Sequence, residues 1–514
     1  MAAAALLVYR TTLLPGVFAW DTAEAQAVLP LLGTMHPTGF PAYVVLGWLA
    51  TLVLAPLGEP AFRVNLFSAM LVAGAVGTAV VLLRRLQVPL LVAVAAALGL
   101  ALTPVTWAIA SAADAHALHL LLLALLALAL VRWADLVGRR EGDPGDARAA
   151  RRADRALVLA AALFGVSLGN HALALLLLPA IGLYVLAVDG SALRRWRLVL
   201  ACAAAAIGVA ALLYLELPLR AGPFPATLVY GRPDTWSGFW EIVLARQFQG
   251  EFEGVLGDPV GALLDLGRFA LGQLGVIALA LPLAFAVTAA RFPRYALLSG
   301  VATLVTCVFA ASYLNARIDR YYLGPALFAW TWVAIAAGAL VESILVRARG
   351  GLGDDDDPLA TPAVPGRLAA TTSVALAAAL ALLIPTAVVL ESRWTATDRS
   401  HETVMADWLD DAMTGLDPGA VVVSHWSTST TLWYGTLVEG RRPDLLIVDD
   451  SDIVYDDLGS VEGVIDGYLG TRPVLVIRAT QADLDALAVR YRLEPVGRPA
   501  GAYRVTGLVE TDSP

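Results

Sequence analysis

The chain has 514 residues, of which 58% are hydrophobic and only 15% charged; its mean hydropathy is +0.71. That balance excludes an ordinary soluble domain and points to a polytopic membrane protein. All 35 basic residues are arginine, against 44 acidic ones, so lysine Schiff-base chemistry is excluded.

The apolar segments are continuous runs without period-two alternation, so the spans are helical and not barrel strands. Arginines cluster at Arg84 and Arg85, from Arg132 to Arg155, at Arg194, Arg195 and Arg197, at Arg291 and Arg294, and at Arg347, Arg349 and Arg367. By the positive-inside rule these mark cytoplasmic loops. Spans are then predicted at 2–14, 63–83, 88–102, 115–131, 156–168, 172–188, 198–217, 264–290, 295–312, 322–346 and 368–390, about eleven crossings with the N-terminus inside. The first is short for a crossing and carries Arg10, which raises the expectation of a start codon further upstream. Residues 43–57 are apolar, short and flanked by prolines, and are expected to be re-entrant or interfacial. Cys202 and Cys307 both fall inside apolar runs and suggest neither a disulfide framework nor a zinc site.

On this topology a first extracytoplasmic loop covers 15–62, within a transmembrane domain of residues 1–390. The stretches "WDTAE", "HPTGFP", "SAADAH", "GNH", "LRAGPFP" and "NARIDRYY" all reach the extracytoplasmic face. Residues 350–366 read as a solvated cytoplasmic linker. From 391 to 514 there are 21 acidic residues against 10 arginines. This is expected to be a soluble extracytoplasmic α/β domain, because "AVVVSH", "DLLIVDD" and "PVLVIRA" alternate with helix-like stretches at 402–413, 428–439 and 480–490, the pattern of a small parallel sheet. Its acidity argues against nucleic acid and anionic lipid surfaces. Asp449, Asp450, Asp452, Asp456 and Asp457 crowd one stretch, but without calcium-loop spacing they are read as strand-end loop residues.

Asp21 and Glu24 are three residues apart, so a helix beginning there puts both carboxylates on one face. The pair also fits a capping box. His36, Arg63, Asp114 with His116, and His171 are further polar groups at span ends on the same side, and such groups near a bilayer are functional candidates.

"WDTAE", "HPTGFPAY", "EPAFRVNLFSA", "LGNH" and "LPLRAGPFP", in that order, resemble a bacterial family of membrane proteins of unknown function related to the animal transmembrane O-mannosyltransferase, itself similar to the GT-C glycosyltransferases. The resemblance covers most of 9–325 and is strongest over 9–85. It implies a GT-C-like fold, residence in the bacterial plasma membrane, and a catalytic acidic residue in the first loop, here Asp21 with Glu24 beside it. Thr38 stands where the family often has a second proline, and Asp114 and His116 where Glu and Tyr are more usual.

The implied reaction moves a sugar, mannose by the family's example, from a polyprenyl-phosphate donor drawn from the membrane lipids to an acceptor hydroxyl on a protein or glycan. Asp21 would take the acceptor proton or hold a divalent cation. Arg63, Arg220 or Arg320 would hold the donor phosphate, each having the alternative role of anchoring a span end. His36 either orders its turn or takes part in catalysis, His171 either bonds across helices or touches substrate, and the C-terminal domain is expected to present or recognise an acceptor or to cap the active-site face. The other readings are a transporter or flippase of lipid-linked intermediates, expected to carry midplane polar residues and inverted repeats, and an inactive scaffold.

Overall fold

The computed structural model describes residues 1–142, 146–252, 257–313, 318–350 and 365–509. Most of the expected linker and part of "NARIDRYY" lie outside these residues.

Every predicted span coincides with helix, but the helices differ in reach. Among the described residues seven are long and apolar enough to cross a membrane, including Pro60–Arg85, His116–Gly142 and Trp196–Ala221. An eighth candidate is the pair Leu90–Ala101 and Pro104–Ala110, bent by 69°. The other predicted spans map to Ala2–Thr11 and Ala172–Val188, which are short, and to Ala147–Leu168, whose first half carries four arginines. The count of eleven therefore reduces to seven or eight helices of crossing length. Residues 43–57 fold as Pro41–Val53, a 13-residue helix, followed by a single 3-10 turn at Ala55–Leu57.

The bend has an identifiable cause. Pro104 cannot donate into the preceding turn, and the carbonyls freed at the break need other partners. Arg393 donates to Leu102 O at 3.0 Å and to Gln273 O at 2.6 Å, closing two helix breaks with one guanidinium. Small residues let helices approach closely. A Cβ on Gly165 would lie 2.4 Å from Ala206 O, on the neighbouring helix Trp196–Tyr214.

The two ends of the helical body differ in chemistry. Arg139 and Arg140 close the helix that His116 opens, and Arg140 and Arg195 both pair with buried Asp189. At the His116 end sits the C-terminal domain, a five-stranded sheet of order β2-β1-β3-β5-β4. Its strands are β1 Val421–Ser424, β2 Leu446–Asp449, β3 Val474–Ile477, β4 Tyr491–Pro495 and β5 Ala502–Leu508. The three runs read as strands in the sequence form the parallel part, β2-β1-β3. The sheet as a whole is mixed, not parallel as expected, because β5 runs antiparallel to β3 and pairs with β4 as a hairpin.

This domain is docked on the membrane domain. Thr431 Oγ1 donates to Phe18 O at 2.6 Å, the Ala61 amide donates to the Tyr434 hydroxyl at 3.2 Å, and the Arg399 amide donates to Thr12 O at 3.1 Å.

Candidate active site

A cavity of about 1010 Å³ lies between the helical body and the C-terminal domain. Its scaffold is set by the "EPAFRVNLFSA" and "WDTAE" segments. Asn65, fully buried, accepts from Gln26 Nε2 (2.9 Å) and from the Ala113 amide (3.0 Å), and donates to Leu14 O (3.0 Å). Ser68 Oγ accepts from the Asp114 amide at 3.1 Å. One helix thereby fixes both the strand of chain before Asp21 and the loop carrying Asp114.

Asp21 is the second residue of the helix Trp20–Leu31, whose N-cap is Ala19. The capping-box alternative is therefore not what forms. Asp21 Oδ2 accepts from Arg320 Nη2 at 3.1 Å and Nη1 at 3.2 Å, and Oδ1 accepts from Trp426 Nε1 at 3.4 Å. Burial raises the Asp21 pKa, but the charges of His36 and Arg320 outweigh it and hold the carboxyl below its ordinary value. Its side chain stays 34% exposed, within reach of a bound molecule, whereas that of Glu24 is 1% exposed. Glu24 does not reach the cavity. Its Oε1 accepts from the His36 amide at 2.6 Å and its Oε2 faces His36 Nδ1 at 2.5 Å. Burial lowers the His36 pKa, but Glu24 and Asp21 override it and raise it to about 9. The His36 carbonyl meanwhile accepts from Gly39 at 2.7 Å, closing the "HPTGFP" turn where Gly39 has φ +80°.

Asp114 mirrors Asp21. Its Oδ1 accepts from the His116 amide (2.8 Å) and from Nδ1 (2.9 Å), and its Oδ2 faces Arg320 Nη1 at 3.5 Å. A carboxylate at Nδ1 leaves Nε2 of a neutral imidazole without a proton. Arg320 thus bridges two carboxylates, while its Nε is buried without a partner among the described residues. His171 Nδ1 accepts from the Leu173 amide at 3.0 Å, and its ring packs 5.0 Å from His116.

Asp21, His36, Asp114, His116, His171 and Arg320 all line the cavity. Arg63 and Arg220 do not. Arg63 donates to Gly58 O and Thr51 O (2.6 and 3.2 Å), and Arg220 to Leu32 O and Leu31 O (2.7 and 3.4 Å), so both close helix ends. The arrangement does not favour a divalent ion at Asp21, since a guanidinium already supplies positive charge between the two aspartates. Among the described residues no three His, Cys, Asp or Glu side chains are grouped to hold a metal.

Sequence reasoning expected the C-terminal domain to present or recognise an acceptor or to cap this face, but assigned to the site none of the residues of its wall, which include His425, Trp426, Asp449, Asp450 and Ser451. The available signal was their position after β1 and β2, because parallel strands bind ligands beyond their carboxyl ends. Asp449 does end a strand, as expected, and it heads the next helix in a capping box with Asp452. Much of the remaining lining is apolar, including Leu173, Leu176, Phe248 and Phe252, beside the polar Thr38, Gln247 and Gln249.

Residues 21–193 match the family model described as Protein O-mannosyl-transferase TMEM260 N-terminal domain. The structure is similar to that of ArnT from Cupriavidus metallidurans bound to undecaprenyl phosphate, with a TM-score of 0.60 and 17% identity, covering 98% of this chain and 96% of that one. It is similar to the apo state of the same protein at a TM-score of 0.59 and 16% identity, with the same coverage of 98% and 96%. The fold is that of the GT-C glycosyltransferases. A third similar structure is the archaeal oligosaccharyltransferase AglB from Archaeoglobus fulgidus, in complex with an inhibitory peptide and a dolichol-phosphate, with a TM-score of 0.52, 14% identity and coverage of 100% and 74%. No curated protein matches the chain.

Proposed function

We propose that the protein is an integral plasma-membrane glycosyltransferase that moves a sugar, mannose by the family's example, from a polyprenyl-phosphate donor to an acceptor hydroxyl on the extracytoplasmic side. The observation that carries this reading is the Asp21–Arg320 pair in the wall of a large, partly apolar cavity where the membrane helices meet the C-terminal domain. Support also comes from the family match over 21–193 and from the GT-C fold.

In this reading the apolar lining takes the first isoprene units of the donor and Arg320 faces its phosphate. The acceptor oxygen bonds to the anomeric carbon while the bond from that carbon to the phosphate oxygen breaks, and the electron pair leaves with the lipid phosphate. Arg320 meets the growing charge, as a guanidinium suits a phosphate. Asp21 takes the acceptor proton. At rest its basicity is suppressed by Arg320; as the guanidinium turns toward the leaving phosphate, the carboxylate regains proton affinity when the proton must be taken. Asp114 holds Arg320 and His116, and Glu24 acts through His36. The polar groups gather at one end of the helices, which disfavours a midplane transport site.

The test is to incubate the purified protein with a panel of polyprenyl-phosphate sugars and follow their consumption. At least one should be turned over by the wild type, and about 10²-fold or more slowly by Asp21→Asn. Failure of every donor with a broad set of acceptors would leave the scaffold reading.

A further inference from the structure

We infer that the C-terminal domain carries the acceptor subsite of this transferase, with Asp449 receiving hydroxyl groups of a saccharide; the inference rests on the glycosyltransferase reading above.

Strands β1 and β2 are parallel, so their carboxyl ends point the same way, and the residues that follow them line the cavity. Ligands of open α/β sheets lie beyond such ends. Asp449, 1% exposed, uses Oδ1 to accept from the Ser451 amide (2.8 Å) and hydroxyl (2.6 Å). Its Oδ2 is buried and makes no hydrogen bond among the described residues, because the neighbouring Ser429 hydroxyl is engaged with Ser424 Oγ at 2.7 Å and His425 O at 3.1 Å. Capping the helix Asp450–Tyr455 does not require that second oxygen, since Asn caps as well as Asp. An unpaired buried carboxyl oxygen is costly, and burial pushes the Asp449 pKa up; a ligand hydroxyl at Oδ2 relieves that cost. The adjacent Asp450 has no such vacancy, because Arg478 pairs with both its oxygens at 2.7 and 2.8 Å.

The neighbours define the ligand. His425 Nδ1 accepts from the Ser427 amide at 3.2 Å, so the neutral ring carries its proton on Nε2 and offers a donor. Trp426 and Tyr230 meet edge to face, with centroids 5.7 Å apart, and supply an aromatic flank. An acceptor, a donor and aromatic surface together suit a sugar, whose adjacent hydroxyls both donate and accept and whose C–H faces pack on rings. A serine or threonine side chain offers only one hydroxyl. The same Trp426 indole reaches Asp21, so a saccharide held on this wall is delivered to the reacting carboxylate.

The experiment uses the full chain in detergent and, as probes, the methyl glycosides of mannose, glucose and galactose beside a threonine-containing hexapeptide. Calorimetric titration and donor consumption are measured for wild type, Asp449→Asn and Asp449→Ser, both of which retain a cap. At least one glycoside should bind and stimulate donor consumption. Both variants should raise the KM for that glycoside at least tenfold and leave the KM for the donor within twofold. Equal glycoside affinity in wild type and variants, binding of the peptide alone, or no glycoside binding would overturn the subsite. Glycoside binding that depends on Asp449, with no donor consumed, would instead uphold the saccharide site and remove the transferase reading.

Discussion

Arg320 donates to Asp21 through both terminal nitrogens, at 3.1 and 3.2 Å, and its Nη1 also faces Asp114 at 3.5 Å. This cavity-lining carboxylate is thus held ionised by a group suited to the donor phosphate. Asp21→Asn is isosteric and removes only the charge. Transfer should fall by about 10²–10⁴-fold, the usual contribution of a positioned proton acceptor, with membrane insertion unchanged and thermal stability lowered by the loss of the Arg320 ion pair. Turnover within threefold of wild type would remove Asp21 from the proton path.

Arg320 also sets the acid limb of the pH profile. Its charge helps to lower the Asp21 pKa, so Arg320→Gln should move the acid limb of kcat/KM to higher pH, besides weakening donor binding. Arg320→Lys keeps the charge but loses the fork, and should cost about 1–3 kcal/mol of donor affinity. Arg63→Lys and Arg220→Lys should leave donor titrations unaltered, because those guanidiniums are engaged with the carbonyls of Gly58, Thr51, Leu31 and Leu32. A donor defect in either would place a phosphate contact outside the cavity described above.

That contrast also marks how far sequence reasoning reaches. The spans are legible because burial in lipid demands continuous apolar runs, and Asp21, Asp114, His116, His171 and Arg320 stand out because polar groups at span ends are rare. An arginine that closes a nearby helix end has the same local sequence as one that faces a cavity, so Arg63, Arg220 and Arg320 could not be ranked. Glu24 shares a helix turn with Asp21, yet it is turned to His36 by a loop whose path the sequence does not reveal. Trp426 meets Asp21 across 405 residues, a contact that depends on domain docking alone. Strands β4 and β5 were missed because "YRLEP" and "AYRVTGL" mix charged residues into an edge hairpin that lacks a clean alternation.

His36 makes the stability of the first loop pH-dependent. Its folded pKa of about 9 lies above the ordinary 6.5, so the folded state binds the proton more tightly. The resulting stabilisation is complete below about pH 6.5 and is lost as pH rises through about 9. The wild type should lose roughly 1–3 kcal/mol between pH 6 and pH 9.5, read as a falling apparent Tm in detergent. His36→Gln should start lower and show a flatter dependence over the same interval. Parallel curves for the two proteins would mean that the Glu24–His36 contact is not an ion pair.

The arginine-based topology makes a prediction that the fold refines. Gly33 lies in the expected first extracytoplasmic loop, but a Cβ there would sit 2.4 Å from Leu228 O, so a cysteine at 33 would disturb the packing of the loop it reports on. Pro223 is exposed, and Gly467 and Gly142 have open space where a side chain would go. Native Cys307 is buried and Cys202 only partly accessible, so both are replaced by alanine first. Pro223→Cys and Gly467→Cys should then react with an impermeant maleimide in intact cells, and Gly142→Cys only after the cells are opened. The three sites test separate claims. Labelling at 223 and 467 puts the cavity end and its sheet domain outside, and silence at 142 puts the Arg139–Arg140 end inside, as lipid-linked transfer on the outer face requires. Labelling of 142 from outside with silence at 223 would invert the protein and move the reaction to the cytoplasmic face.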